Sequence, residues 1–141
     1  MAVMNINVFS VMLRHGMDVT VVLPDDIDEG EKLKCVWLYH GGSGDNTEWL
    51  YHTPLVDTVE KRHFAAVLPN VDESCFVNMN IGNKYENYVA KELPSIIWNM
   101  FKCISDKRED NYVSGYSGER DKYRGRKGTA ALGGWYKCLY D

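Results

Sequence analysis

Ser117 closes the segment Val113-Ser114-Gly115-Tyr116-Ser117, an apolar stretch that runs into a turn carrying a hydroxyl. A serine on a sharp strand-to-turn corner is presented for nucleophilic attack, and small neighbours are needed because the turn is strained and backbone packs close to it. Gly115 provides one small neighbour, while the last glycine of the G-x-S-x-G pattern is replaced by Glu119. Far upstream, His40-Gly41-Gly42-Ser43-Gly44 follows an apolar run. Glycines there let backbone N–H groups face a cleft, and such donors stabilise the oxyanion formed in acyl transfer. A phosphate-cradling loop is the rival chemistry, but the lysine and Ser/Thr that complete one are absent. A plain glycine turn accounts for the His40–Gly44 motif and a surface-turn serine for the Gly115–Glu119 motif, so neither is decisive alone.

A serine on such an elbow takes its acid and histidine from later in the chain. The histidines are His15, His40, His52 and His63, and none follows Ser117. His40 reads as an orienting or packed residue, and the other three as solvated. After Gly118-Glu119 the chain continues Arg120-Asp121-Lys122-Tyr123-Arg124-Gly125-Arg126-Lys127. That segment cannot supply the apolar face a helix needs to pack on a sheet.

The elements that must position these groups are legible in outline. Asn5–Ser10 and Met17–Leu23 read as an antiparallel pair, with His15-Gly16 in the connection. Lys34–His40 is nearly continuously apolar, which suits a strand buried on both faces. Thr47–Arg62 reads as one helix, with Leu55, Val56 and Val59 able to share a face. Ala65–Leu68 is a second short apolar strand. Asn70–Asn83 is a long loop, and Tyr85–Phe101 a helix that Pro94 divides or in which it starts a new turn. Tyr112–Gly115 is a third buried strand. This alternation predicts a parallel α/β sheet with helices on both faces, whose ligands bind beyond the carboxyl ends of the strands. The Gly41–Asn46 loop and Ser117 both fall at such ends. Trp49 and Phe76 sit near the loops that would ring a cleft.

Bulk properties narrow the field. The chain has 141 residues, 45% hydrophobic and 26% charged, with net charge −4. These values suit one globular domain and give no support to nucleic-acid binding. No apolar run reaches a membrane span, and the N-terminus lacks a signal-peptide layout, so the expected location is cytoplasmic. Cys35, Cys75, Cys103 and Cys138 show no metal-ligand spacing, and Cys35 reads as a small buried hydrophobe.

Several motifs agree in order and spacing. Leu38-Tyr39-His40-Gly41-Gly42-Ser43-Gly44-Asp45-Asn46-Thr47-Glu48-Trp49 comes first, followed by Phe76-Val77-Asn78-Met79, Glu92-Leu93-Pro94 and Ser105-Asp106-Lys107-Arg108-Glu109-Asp110-Asn111. Together they resemble the esterase family that includes esterase D, S-formylglutathione hydrolase and bacterial tributyrin esterases, with the greatest likeness to the last. The resemblance spans about residues 1–117. It implies an α/β-hydrolase fold and hydrolysis of short acyl esters by a Ser-Asp-His triad, with no cofactor and no metal. Ser117 would be the nucleophile, and the backbone N–H groups of Gly42 and Gly118 the oxyanion donors. His40, Gly41, Trp49, Phe76 and Asn78 would shape the substrate site.

The family's acid and histidine have no matching positions here. Residues 118–141 carry six Lys/Arg against three Asp/Glu, a basic segment in a chain of net charge −4. The expectation is therefore the N-terminal part of an α/β-hydrolase sheet over residues 1–117, truncated after the nucleophile, and a divergent, frameshifted or disordered tail over 118–141. Such a chain is a serine carboxylesterase by family but impaired, the alternative being a non-catalytic remnant or binding module of the same fold. A small-molecule acyl ester is the expected substrate. Self-association is expected through the sheet edge left at the strand ending in Gly115.

Overall fold

A computed structural model describes residues 1–41, 43–71 and 84–115. β1 (Ala2–Ser10) and β2 (His15–Leu23) form an antiparallel hairpin, in register from Ala2 opposite Leu23 to Ser10 opposite His15. The turn is 11–14, which corrects the expected connection at His15-Gly16. It is closed by the Arg14 N–H donating to the Ser10 carbonyl at 2.8 Å, and Arg14 takes the left-handed φ of 62°. Gly16 is instead a strand residue opposite Phe9. A Cβ there would collide with the Asn7 side-chain oxygen.

The sheet continues through β3 (Cys35–Tyr39), β4 (Ala65–Pro69) and β5 (Asn111–Gly115), in the spatial order β1-β2-β4-β3-β5. β2 and β4 are antiparallel, whereas β3 pairs in parallel with both β4 and β5. The parallel sheet expected after Leu33 is present, and the hairpin extends it as a mixed sheet.

Both faces of the central strands are covered, and alternation assigns the residues. On one face Val19, Val21, Cys35, Trp37, Tyr39, Ala65, Val67 and Val113 pack under the helical stretch 85–100. On the other, Val22, Leu38, Ala66 and Leu68 pack under Leu55 and Val59. A strand such as Ala65–Pro69, buried at every position, must therefore be apolar throughout rather than alternating.

The segment expected as one helix over Thr47–Arg62 is two: α1 (Glu48–His52) and α2 (Leu55–Arg62). Pro54 disfavours helical geometry in the residue before it, and Thr53 is extended, with φ −139° and ψ 158°. The later helix is continuous from α3 (Tyr85–Asn87) through a π-helical turn (Tyr88–Glu92) into α4 (Leu93–Met100). Of the two expectations for Pro94, it does not divide the helix but stands in the first turn of α4. Proline lacks an N–H and its ring crowds the carbonyl four residues back. The wider turn, in which the Leu93 N–H reaches the Tyr88 carbonyl, sits immediately before Pro94.

β5 is introduced by a pinned loop. Leu33 bridges Ile104 in parallel, and the Ser105 N–H donates to the Leu33 carbonyl at 2.9 Å. The Ser105 hydroxyl donates to Asp110 at 2.6 Å. Buried Asn111 donates to the carbonyls of Ser105 and Lys107 and accepts the Trp37 indole N–H at 2.9 Å. The Ser105–Asn111 motif thus fixes where β5 starts. Burial pushes the Cys35 thiol well above its ordinary range, so Cys35 is an inert core residue, as its place in the apolar run suggests.

Candidate active site

The loop leaving β3 is held by side chains on three sides. His40 is buried. Its Nε2 lies 3.1 Å from the Val71 N–H, which donates to it. Nε2 is therefore unprotonated, and Nδ1 carries the proton that reaches the Gly41 carbonyl at 2.8 Å. His40 ties the exit of β3 to the segment following β4. With both ring nitrogens engaged it holds the loop and is not placed to act as a base.

Gly41 is the centre of the turn. Its carbonyl also accepts the Gly44 N–H at 3.1 Å, and its own N–H donates to Glu48 Oε2 at 2.8 Å. Between them Ser43 takes a left-handed φ of 61°. Further along, Asn46 is buried and donates to Thr20 Oγ1 at 2.8 Å and Asn5 Oδ1 at 3.1 Å. The Asp45 carboxylate accepts the Thr47 backbone N–H at 2.7 Å and its hydroxyl at 2.5 Å. The Thr47 hydroxyl and then its N–H hold the Asp45 carboxyl below its ordinary range.

Trp49, on α1, donates its indole N–H to the Tyr39 carbonyl at 3.0 Å. With Glu48, His52 and Thr53 it lines a cleft of about 250 Å³. His52 is exposed, as is His15. His63 caps α2 in a left-handed conformation and meets Glu31 at 2.7 Å. Of the residues expected at the site, His40, Gly41 and Trp49 come together around the β3 exit. Gly42, Phe76, Asn78, Ser117 and Gly118 lie outside the described residues, as does the whole of 118–141.

On the other side of β3, the parallel pairing with β5 sets Tyr39 opposite Gly115. The strand that leads toward Ser117 and the strand that leads into the glycine loop therefore leave the sheet side by side and in the same direction. A site at adjacent carboxyl ends is where ligands bind in open α/β sheets.

No family model matches the chain. It is 28% identical over 127 residues to an acetyl esterase of Caldicellulosiruptor saccharolyticus, an alignment covering 83% of this chain and 47% of the relative. Among solved structures it superposes on FphF, a fluorophosphonate-binding serine hydrolase of Staphylococcus aureus, with a TM-score of 0.77 at 28% identity. That match covers 89% of this chain and 53% of FphF. The S-formylglutathione hydrolase FrmB of Staphylococcus aureus gives 0.74 at 28% identity, over 93% of this chain and 54% of FrmB. The chain is thus similar to esterases and serine hydrolases, and its fold is that of an α/β-hydrolase. It spans about half the length of these relatives.

The loop's chief restraints were not singled out from sequence. Glu48, Asn46 and Asp45 stood only inside a longer motif. The local signal was a carboxylate at a helix start after a glycine turn, where an acidic side chain can reach back to free N–H groups. Among the described residues no group of three or more His, Cys, Asp or Glu could hold a metal ion, and no helix is long and apolar enough to cross a membrane.

Proposed function

We propose that this chain carries the nucleophile half of a serine carboxylesterase site. Ser117 attacks the carbonyl carbon of a short acyl ester, and the backbone N–H groups of Gly42 and Gly118 receive the developing oxyanion. Collapse expels the alcohol and leaves an acyl-serine, which water hydrolyses. The observation that carries this reading is the Tyr39–Gly115 pairing, which sets the exits of β3 and β5 side by side. Gly41 follows Tyr39 by two residues, and Ser117 follows Gly115 by two.

In an intact triad a histidine removes the serine proton and an acid orients that histidine. No histidine follows His63 in this sequence, and His40 is occupied at both nitrogens. Turnover by this chain alone is therefore slow, sustained by oxyanion stabilisation and binding. Residues 1–117 form the esterase portion and 118–141 a separate tail. The test is hydrolysis of short p-nitrophenyl esters by the wild type and Ser117→Ala. A slow rate lost in the variant supports the reading, and equal rates remove the serine from it. Absence of any turnover favours a non-catalytic module of the same fold, the reading to which the missing histidine points.

A further inference from the structure

Glu48 touches the glycine loop at both ends. Its Oε2 accepts the Gly41 N–H at 2.8 Å. At the other end it fills the space a side chain on Gly44 would need, since a Cβ there would fall inside contact distance of Oε2 and 2.9 Å from Cδ. The direct Gly44 N–H to Gly41 carbonyl bond closes the turn around that carboxylate. Glu48 is itself fixed, as the first residue of α1, with its N–H on the Asp45 carbonyl at 3.2 Å.

From this arrangement we infer that Glu48 is the positioning residue of the oxyanion loop, a role that rests on the esterase reading above. Its carboxylate takes the Gly41 N–H out of use as an oxyanion donor and fixes the peptide from which the chain continues to the proposed donor, Gly42. A charge-assisted bond from a carboxylate to a backbone N–H is stronger than a neutral one. The tightness at position 44 comes first from the same carboxylate and then from the Gly41 carbonyl, 3.2 Å from a Cβ there, and not from its backbone angles, since Gly44 is not among the positive-φ residues.

Amide hydrogen exchange resolved by residue tests the clamp without requiring turnover. In Glu48→Ala the Gly41 amide should exchange at least about tenfold faster, with the Val21 and Val67 amides in the sheet unchanged. Gly44→Ala should do the same by displacing the carboxylate. The double variant should stay close to Glu48→Ala, because the nearer colliding group is gone and only the milder approach to the Gly41 carbonyl, at 3.2 Å, is left. Glu48→Gln keeps an acceptor and should retain most of the protection. Full protection of Gly41 in both single variants overturns the inference. Should Glu48→Ala lose protection throughout the sheet, Gly44→Ala and Glu48→Gln decide in its place. In ester hydrolysis, Glu48→Ala should lower kcat and leave KM unchanged, with Glu48→Gln intermediate. A fall confined to KM contradicts positioning of the oxyanion loop. A wild type with no turnover refutes the esterase reading, and exchange alone then judges the clamp.

Discussion

Tyr39 and Gly115 stand opposite each other in the parallel pairing of β3 with β5. Because the strands run the same way, the loop that begins at His40 and the segment that leads to Ser117 emerge at one edge of the sheet. Specific side chains hold those two exits in place. His40 and Glu48 restrain the first. The Ser105–Asn111 loop sets the start of the second.

Removing His40 should destabilise the fold locally and globally. In His40→Ala the buried Val71 N–H loses its acceptor and the Gly41 carbonyl loses one donor. An orphaned buried donor costs about 1–3 kcal/mol. Urea denaturation should show a lower midpoint at an unchanged slope. An unaltered midpoint would mean that His40 does not hold the loop.

Glu92 performs the corresponding task at the turn of the β1–β2 hairpin. Its carboxylate accepts the Ser10 hydroxyl at 2.6 Å and the N–H groups of Val11 and Met12 at 2.5 and 3.2 Å. Glu92→Ala should lower stability by roughly 2 kcal/mol, with exchange at Val11 and Met12 accelerating first. Glu92→Gln, which keeps acceptor oxygen but no charge, should lose less. Equal losses in the two variants would contradict the assignment of charge-assisted bonds.

Acid should loosen the loop before it melts the sheet. Asp45 is held below its ordinary range by Thr47, and Glu31 by the Asp28 N–H and then by His63. A carboxyl with a depressed folded value adds stability that is present above its unfolded value, roughly pH 4, and is lost as pH falls through the folded one. Stability measured from pH 6 to pH 2 should therefore fall below about pH 4. Asp45→Asn should flatten part of that fall. An unchanged profile in Asp45→Asn would show that Thr47 does not stabilise the ionised carboxyl.

β5 is the last strand of the described sheet on its side, and Tyr112 is 46% exposed. An unpaired edge strand with an exposed aromatic is a template for another chain. Sedimentation velocity should show concentration-dependent self-association, and Tyr112→Lys should reduce it. A monodisperse monomer at all concentrations would contradict association through this edge.

The sequence displayed the sheet well because burial on both faces leaves an unmistakable trace. Cys35–Tyr39 and Ala65–Pro69 are apolar runs, and the glycines after Tyr39 mark the exit. The break at Thr53 is encoded by Pro54, but the apolar spacing of Leu55, Val56 and Val59 continues a helical pattern and masks it. Pro94 signals a new turn, and it stands in the first turn of α4, just after the π-helical stretch Tyr88–Glu92. The restraints at Asn46 and Glu92 were not legible at all. Asn46 reaches Thr20 across 26 positions and Asn5 across 41, and Glu92 reaches Ser10 across 82. Contacts at that separation leave no periodicity, only a polar residue whose partner the fold alone reveals.

The central claim is that Ser117 is a nucleophile beside an oxyanion loop, and trapping the acyl-serine tests it most directly. On the proposed reading no histidine assists either step, but p-nitrophenolate leaves far more readily than the serine alkoxide of an acyl-serine, so acylation outpaces deacylation and the intermediate should accumulate. After prolonged incubation with p-nitrophenyl acetate, peptide mass spectrometry should find acetyl on Ser117 in the wild type, and no acetyl at that position in Ser117→Ala. Acetylation confined to lysines, or identical in the two proteins, would contradict the account.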